Sequence, residues 1–271
     1  MAITRFGCWM IKKTISFNDT FKRRIFKNLM NSNIEESKDK IDEHKSEISS
    51  AILKYTEVIR NHMTPEIRLL LLTSNCELYH TPFEQILRLK EVERKVFLEP
   101  FWSIYWPGGQ ALTRFVLDEG REFVSSSRKV LDLGCGCGAT AIAAKLVGAR
   151  RVIANDIDKI ACTAVSMNSA LNYVNVEVSH QNLLHELPEK SNDVIFIGDM
   201  LYDEEIAGTL IPWLEKARQN GTTIYLGDPG RHGLTKDLKK RLKIVREYSL
   251  PENVRKENYG YDKCNVWEFC G

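Results

Sequence analysis

A regular alternation of short apolar segments and longer amphipathic segments, from about residue 128 to the C-terminus, most constrains the fold. The apolar segments predict strands at 128–133, 151–156, 174–179, 193–197, 222–226, 244–250 and 265–269. The amphipathic segments predict helices at 139–147, 160–171, 206–218 and 234–242. Because no helix is predicted between the last two strands, the series indicates an α/β fold. It would have a Rossmann-like, seven-stranded, mostly parallel sheet with an antiparallel C-terminal edge.

A glycine-rich turn joins the first of these strands to the first helix. The string V-L-D-L-G-C-G-C-G at residues 130–138 places Gly134, Gly136 and Gly138 at alternate positions. Glycine permits unusual dihedral angles and lets a ligand approach the backbone, and the helix that follows offers free N–H groups. Dinucleotide-binding enzymes use a longer spacing, G-x-G-x-x-G. We therefore predict a ligand-binding turn of another type. Asp132 either contacts a cofactor or holds the turn in place, and its position favours the second role.

Polar residues follow the ends of the next predicted strands. Asp156 stands 22 residues after Gly134, where an acid can accept both hydroxyls of a ribose, and Asp158 is predicted to cap the next helix. Asn182 follows the third strand, where its amide could contact an adenine edge, although loops are rich in such residues. Asp199 and Tyr202 follow the fourth strand. Since carboxyl ends of parallel strands border the binding crevice, these residues are predicted to meet there.

Two further features allow more than one interpretation. Trp106 precedes a helix-breaking Pro-Gly-Gly, and it either packs against a cofactor or belongs to the core. In the string G-D-P-G-R at 227–231, Asp228 and Arg231 either contact a substrate or hold a turn through an internal ion pair. Cys135 and Cys137 have no further ligand at metal-binding spacing, and the six histidines form no cluster. No metal site is predicted.

In their order along the chain, these motifs resemble those of the seven-strand S-adenosylmethionine-dependent methyltransferases. The glycine-rich string resembles the first motif of that superfamily, and Asp199 with Tyr202 resembles the D-x-x-Y signature of its lysine-specific branch. Roughly residues 100–271 resemble, more narrowly, the mitochondrial lysine methyltransferases of the electron transfer flavoprotein beta subunit. The matching strings include I-Y-W-P-G-G-Q-A-L at 104–112, A-N-D-I-D at 154–158, G-D-M at 198–200 and G-D-P-G-R at 227–231. Resemblance to the ribosomal protein L11 methyltransferases is weaker.

The resemblance implies a protein-lysine N-methyltransferase that uses S-adenosylmethionine. Its expected partner is the flavoprotein beta subunit, whose acceptance of electrons from its dehydrogenases methylation would lower. Asp199 would orient the nitrogen of the target lysine, and Tyr202 would form a wall of the lysine channel. The cofactor would be held by Trp106, Gly134, Gly136, Gly138, Asp156 and Asn182.

Two other classes of function stay open. A nicotinamide-dependent oxidoreductase would need the longer glycine spacing, and it leaves Asp199 with Tyr202 unexplained. A non-catalytic binding module could have kept the fold, because fold does not imply activity. Within the methyltransferases, another protein substrate such as ribosomal protein L11 is the alternative.

The first third of the chain differs in composition from the rest. Residues 1–33 carry seven basic side chains, one acid and several hydroxyls, a composition typical of a mitochondrial transit peptide or of an ordinary basic amphipathic arm. The transit peptide implies the mitochondrial matrix, with the cytoplasm as the alternative. Residues 34–99 are expected to form a helical extension, with an amphipathic helix at 34–60 and a helix start at Thr64-Pro65-Glu66. Residues 100–271 would form the methyltransferase domain.

The charge balance excludes several classes of partner. Lys and Arg number 38 against 36 Asp and Glu, so the formal net charge is only +2. This value gives no support to a general nucleic-acid binder or a membrane-surface binder. The longest apolar segments are far too short to span a bilayer. We therefore expect neither nucleic acid nor membrane as a partner, and the oligomeric state stays open.

Overall fold

The computed structural model describes residues 38–124, 129–257 and 260–271, so the predicted transit peptide at 1–33 lies outside the described residues. The α-helices are α1 (Lys38–Tyr55), α2 (Phe83–Ile86), α3 (Glu91–Phe97), α4 (Pro107–Phe123), α5 (Ala139–Leu146), α6 (Lys159–Leu171), α7 (Glu204–Gln219), α8 (Lys236–Lys239) and α9 (Glu252–Glu257). The strands are β1 (Glu57–Ile59), β2 (Leu69–Leu71), β3 (Lys129–Leu133), β4 (Arg151–Asn155), β5 (Glu177–Ser179), β6 (Val194–Gly198), β7 (Thr223–Asp228), β8 (Leu242–Ser249) and β9 (Lys263–Phe269). Short 3-10 helices occupy Glu77–Tyr79, Phe101–Ser103 and Leu183–His185.

Seven strands form one sheet in the order β5-β4-β3-β6-β7-β9-β8. Strands β3 to β7 are parallel to one another, and β9 is antiparallel to both β7 and β8. The predicted fold class is therefore confirmed. Strand order reverses between β3 and β6, and such a reversal opens a crevice at the carboxyl ends of the strands.

Both faces of the central strands β3, β6 and β7 are buried, as is typical of almost wholly apolar parallel strands. Val130 and Phe196 point to a core that contains residues of α4, α5 and α6. Their sequence neighbours Leu131 and Ile195 point to a second core, which α7 covers on the opposite face. Because successive strand residues alternate between the faces, the central strands β3, β6 and β7 contribute to both cores. No helix in the described residues combines the length and the apolar character needed to cross a membrane.

The N-terminal segment packs on the outer side of α6. Ile52 from α1, Leu70 from β2 and Phe97 from α3 share a buried apolar cluster with Ala161 and Ala164 of α6. Strands β1 and β2 form a separate antiparallel pair. The helical extension therefore also contains a small sheet.

The predicted helix start at Thr64-Pro65-Glu66 is wrong. A turn occupies this place, and β2 follows it. The Thr64 hydroxyl, instead of capping a helix, is buried within hydrogen-bond distance of His62 and Tyr105, at 3.1 Å from each. The apolar residues that follow are then free to pair with β1 as a strand.

Other helix boundaries also differ from the predictions. The helix predicted at 234–242 shortens to α8, because Leu242 already pairs with Phe269 at the start of β8. The short helix α9 lies between the last two strands, where none was predicted. Pro107 begins helix α4 instead of breaking a helix. Proline is tolerated at the first position because the N–H that it lacks would have no partner within the helix.

Candidate active site

Strand register brings the predicted site residues to one edge of the sheet. Leu133, at the end of β3, lies beside Asn155 of β4 and Ile197 of β6. Gly198 of β6 lies beside Gly227 of β7. The residues that follow these positions, Gly134, Asp156, Asp199 and Asp228, therefore stand side by side at the carboxyl edge.

The glycine-rich turn leaves β3 in a left-handed backbone conformation. The φ angles of Gly134, Gly136 and Gly138 are +67°, +52° and +79°, which only glycine adopts without strain. A Cβ on Gly134 would lie 2.5 Å from the sulfur of Met200, and one on Gly138 would lie 2.9 Å from Val165. At Gly136, by contrast, a Cβ would meet no atom within 4 Å. The turn is thus closely packed at both ends and open in the middle.

Asp132 and Asp156 hold this turn from two sides. Asp132 is buried beneath it and accepts a hydrogen bond from the Ala141 N–H at 3.0 Å, in the first turn of α5. Asp156 accepts the Gly136 N–H on one carboxylate oxygen and the Asp158 N–H on the other, both at 3.0 Å. Asp158 in turn caps α6 through the Ile160 N–H, as predicted.

Asp199 forms a buried ion pair with Arg231. The Nε and Nη2 atoms of Arg231 donate to Oδ1 of Asp199 at 2.9 and 2.8 Å, and the side chains are 10% and 6% exposed. Oδ2 of Asp199 accepts the Gly109 N–H at 2.8 Å and so caps α4, for which Trp106 offers no capping group. The backbone of Asp199 is left-handed, with φ +56°. Among non-glycine residues, Asn and Asp tolerate this conformation best.

The Arg231 ion pair departs from one of the two interpretations of the G-D-P-G-R string, that of a turn held by an internal ion pair. Oδ1 of Asp228 accepts the backbone N–H groups of Gly230 and Arg231 at 2.7 and 2.8 Å, and these bonds hold the turn. The Arg231 side chain reaches across to Asp199 on the neighbouring strand. The turn is therefore stabilised by Asp228, while the ion pair joins two strand ends.

Close backbone packing explains why glycine occupies positions 108 and 227. A Cβ on Gly108 would lie 2.2 Å from the carbonyl oxygen of Gly227 and 2.6 Å from Oδ2 of Asp199. A Cβ on Gly227 would lie 2.1 Å from the carbonyl oxygen of Gly108. The start of α4 thus lies directly on the ends of β6 and β7. The sequence contained these glycines, but their role depends on a contact between distant segments.

The remaining predicted residues lie on the rim. Trp106 is half-buried, its Nε1 donates to the Phe101 carbonyl at 3.1 Å, and the Arg231 guanidinium lies 5.4 Å from the centre of its ring. Tyr202 is 49% exposed. The pKa of its phenol is raised by burial and then by the charges of Asp203 and Asp156, so it stays protonated at neutral pH. Asn182 is exposed and accepts the Leu184 N–H at 3.3 Å, which starts a 3-10 helix.

Burial shifts the pKa values of the acids at this edge. Burial raises the pKa of Asp132 to about 7 and that of Asp228 to about 6. The negative charge of Asp199 also raises the pKa of Asp228. Burial also raises the pKa of Asp199, although Arg231 and the Gly109 N–H oppose the rise. Among the described residues, no group of three or more His, Cys, Asp or Glu side chains could hold a metal ion.

Comparison with known proteins relates this geometry to a family. The model of the family "Ribosomal protein L11 methyltransferase (PrmA)" matches residues 108–226. The electron transfer flavoprotein beta subunit lysine methyltransferase of Homo sapiens is 42% identical over 227 residues, which are 82% of this chain and 82% of that protein. The protein of the same name from Xenopus laevis is 40% identical over 223 residues, which are 81% of this chain and 86% of the relative. This chain belongs to that lysine methyltransferase family.

As a member of the family, the chain is an S-adenosylmethionine-dependent protein-lysine methyltransferase. The solved structure of magnesium protoporphyrin IX methyltransferase from Synechocystis PCC 6803 with bound SAM is 16% identical, with a TM-score of 0.44. The match covers 72% of this chain and 88% of that one.

Two features of the crevice fit the cofactor that this family uses. The open space at Gly136 forms a cradle that any larger side chain would enter. Beside it, each Asp156 oxygen accepts one backbone N–H, and because a carboxylate oxygen can accept about two hydrogen bonds, acceptor capacity remains for ribose hydroxyls. The donors and acceptors at this edge therefore suit S-adenosylmethionine.

Proposed function

We propose that this enzyme methylates lysine side chains of the electron transfer flavoprotein beta subunit, in the mitochondrial matrix. The extent of the match to the relatives carries the proposal: the chain covers 82% of the Homo sapiens protein and 86% of the Xenopus laevis protein at 40% identity or more. A shared superfamily fold alone would not give that identity over such a length.

For the cofactor, we assign the methionine part to the turn formed by Gly134, Gly136 and Gly138, and the ribose hydroxyls to Asp156. The open cradle at Gly136 supports the first assignment, and the free acceptor capacity of Asp156 supports the second. Trp106 would pack beside the bound cofactor. Asn182 is assigned to the adenine edge, because it follows β5 at the carboxyl edge of the sheet, where Asp156 follows β4.

For the substrate, we assign the end of the lysine channel to Asp199 and its wall to Tyr202. When bound, the cofactor supplies a methyl group made electrophilic by a sulfonium sulfur. The protein must then hold the lysine nitrogen in line with the methyl–sulfur bond, and such positioning contributes up to roughly 7–11 kcal/mol in well-oriented reactions. The exposed ring of Tyr202 offers an aromatic face that attracts ammonium and methylated ammonium groups.

A direct test is methyl transfer from labelled S-adenosylmethionine to the purified beta subunit, with ribosomal protein L11 as the competing substrate. We expect label on lysines of the beta subunit, identified by mass spectrometry, and little label on L11. Preferential labelling of L11 would instead assign the enzyme to the alternative substrate. Transfer to neither protein would contradict the proposal.

Two variants test the proposed lysine site. Asp199→Asn keeps the side-chain shape and a residue type that tolerates the left-handed backbone, and Tyr202→Ala removes the aromatic ring. We expect each to lower methyl transfer by at least about 100-fold, since positioning dominates the rate. Cofactor binding, measured by calorimetry, should stay within about threefold of wild type. Undiminished transfer by both variants would disprove the assignment.

Cofactor class and localisation have separate tests. S-adenosylmethionine should raise the melting temperature, whereas NADH should not, because only a bound ligand stabilises the folded state.

A fusion of residues 1–33 to a fluorescent protein should enter the mitochondrial matrix, and a cytoplasmic fusion would favour the alternative. Methylated flavoprotein should accept electrons from its dehydrogenases more slowly than the unmodified protein.

A further inference from the structure

The target lysine presents the enzyme with a protonation problem. A lysine amine has an ordinary pKa of about 10.4, so it reaches the enzyme as an ammonium group with no lone pair to attack a methyl carbon. An unpaired carboxylate beside the bound amine would stabilise the ammonium form further. If Asp199 were unpaired, it would therefore hold the lysine in the unreactive form.

Arg231 lies where it pairs with Asp199, so Asp199 is not an unpaired carboxylate that would hold the lysine as ammonium. It places two donors on one oxygen of Asp199, at 2.9 and 2.8 Å, and both side chains are almost fully buried. The Gly109 N–H engages the other oxygen. The charge of Asp199 is thus balanced by an arginine, which stays protonated throughout the physiological range.

Other titratable groups face the pair from each neighbouring element. Asp228 lies at the end of β7, and Tyr202, on the turn after β6, interacts with the charges of Asp203, Asp156 and Arg231. Tyr261 faces Arg231, and Cys264 of β9 faces both members of the pair. Among these groups, Arg231 supplies the positive charge, so without it two buried carboxylates would act on an incoming amine.

We propose that Arg231 is a positioning residue that neutralises Asp199, so that the target lysine enters the site as a neutral amine. This inference rests on the proposed lysine methylation at Asp199. The lysine proton leaves to solvent on binding. The nitrogen lone pair then forms the bond to the methyl carbon, and the electron pair of the broken carbon–sulfur bond stays on sulfur. The methylated nitrogen carries the positive charge and can lose a further proton to solvent.

The pH profile of turnover distinguishes this role from a purely structural one. Arg231→Gln keeps a hydrogen-bond donor but removes the charge, whereas Arg231→Lys keeps the charge but loses the two-donor geometry. We expect the rising limb of kcat to move about one pH unit or more to the alkaline side in Arg231→Gln, because the bound amine keeps its proton longer. Arg231→Lys should keep the wild-type midpoint with a lower plateau.

Proton release on substrate binding supplies a readout without catalysis. The beta subunit is titrated into enzyme saturated with S-adenosylhomocysteine, in buffers of different ionisation enthalpy at about pH 8. Wild type and Arg231→Lys should release close to one proton for each lysine bound. Arg231→Gln should release clearly less, because its site accepts the ammonium form.

The two proposals fail in different ways. If the wild-type enzyme transfers no methyl group to the beta subunit, the proposed substrate is wrong. The role proposed for Arg231, which depends on that substrate, is then disproved as well. If wild type transfers methyl groups, but Arg231→Gln shows the wild-type midpoint and the wild-type proton release, only the role of Arg231 is disproved.

Discussion

The side chain of Asn168 donates a hydrogen bond to the backbone carbonyl of Cys137, 2.9 Å away, inside the glycine-rich turn. The same side chain accepts the Leu70 N–H of β2 at 2.8 Å, and it is fully buried. One residue of α6 therefore joins the antiparallel pair β1–β2 to the glycine-rich turn that faces the crevice. The β1–β2 pair thus supports, from a distance, the turn that we assign to the cofactor.

Replacement of Asn168 should therefore weaken both folding and cofactor binding. Asn168→Ala leaves the Leu70 N–H and the Cys137 carbonyl buried without partners, at a cost of about 1–3 kcal/mol for each group. We expect a lower melting temperature and at least about tenfold weaker binding of S-adenosylmethionine by calorimetry, because the turn loses its support.

Asn172→Ala is the matched control for this prediction. Asn172 directly follows the last residue of α6 and binds the backbone of Arg68, with 2.9 Å to its N–H and 2.7 Å to its carbonyl. It supports the segment before β2 but does not bond to the glycine-rich turn. Its loss should lower the melting temperature while cofactor affinity stays near wild type. Equal loss of affinity in both variants would contradict a local link through Asn168.

The two glycines at the start of α4 should respond differently to the same substitution. A methyl group on Gly108 would collide with the carbonyl oxygen of Gly227 at 2.2 Å, whereas one on Gly109 would lie in ordinary contact with the Tyr105 ring at 3.7 Å. Gly108→Ala should cost about 3 kcal/mol or more of unfolding free energy and displace Asp199. Gly109→Ala should be neutral or stabilising by up to about 1 kcal/mol, since alanine favours helices.

Unfolding in denaturant and methyl transfer measure this difference. The Gly109→Ala variant keeps the N–H that caps α4 through Asp199, so its activity should stay within a few-fold of wild type. An active, stable Gly108→Ala variant would show that the start of α4 and the ends of β6 and β7 pack less closely than described.

The parts that the sequence predicted correctly depend on neighbouring residues. Apolar strands, the glycine-rich turn and the Asp158 cap are encoded within a few positions, so pattern and spacing suffice. The Asp199–Arg231 pair spans 32 positions and depends on the register of β6 and β7, so the sequence pattern indicated the nearby Asp228 as the ion-pair partner instead. Asn168 meets Leu70 across 98 positions, and nothing in its helix indicates that partner. Thr64 and Pro65 carry a local helix signal that tertiary contacts override.

Asp132 should make stability depend on pH. Its pKa is about 7 in the folded chain because of burial, against 3.8 as the ordinary value, so the folded chain binds this proton more tightly than the unfolded chain. The stabilisation from this proton is complete below the unfolded pKa and is lost as the pH rises through the folded value. Between about pH 4 and about pH 8, wild type should therefore lose a few kcal/mol relative to Asp132→Asn, which cannot titrate.

Unfolding in urea across this pH range compares the two proteins. The difference in unfolding free energy between them, rather than either value alone, isolates the Asp132 proton from the other acids at the sheet edge. A difference that does not change with pH would show that Asp132 titrates alike in the folded and unfolded chains.

Gly136 should matter for the cofactor more than for folding. Its φ of +52° disfavours any side chain, yet a Cβ there would meet no protein atom within 4 Å. Gly221, with φ +89° and equally open surroundings, precedes β7 at the opposite, amino-terminal edge of the sheet. Alanine at either position should cost about 1–2 kcal/mol of unfolding free energy through backbone strain alone.

Only the Gly136→Ala methyl group would enter the space that we assign to S-adenosylmethionine. We expect its dissociation constant for the cofactor to rise at least about tenfold, because overpacking of a close contact costs at least about 1 kcal/mol. Gly221→Ala should bind the cofactor like wild type despite its similar loss of stability. Calorimetric titration of both variants tests this prediction, and equal affinities would place the cofactor elsewhere than over Gly136.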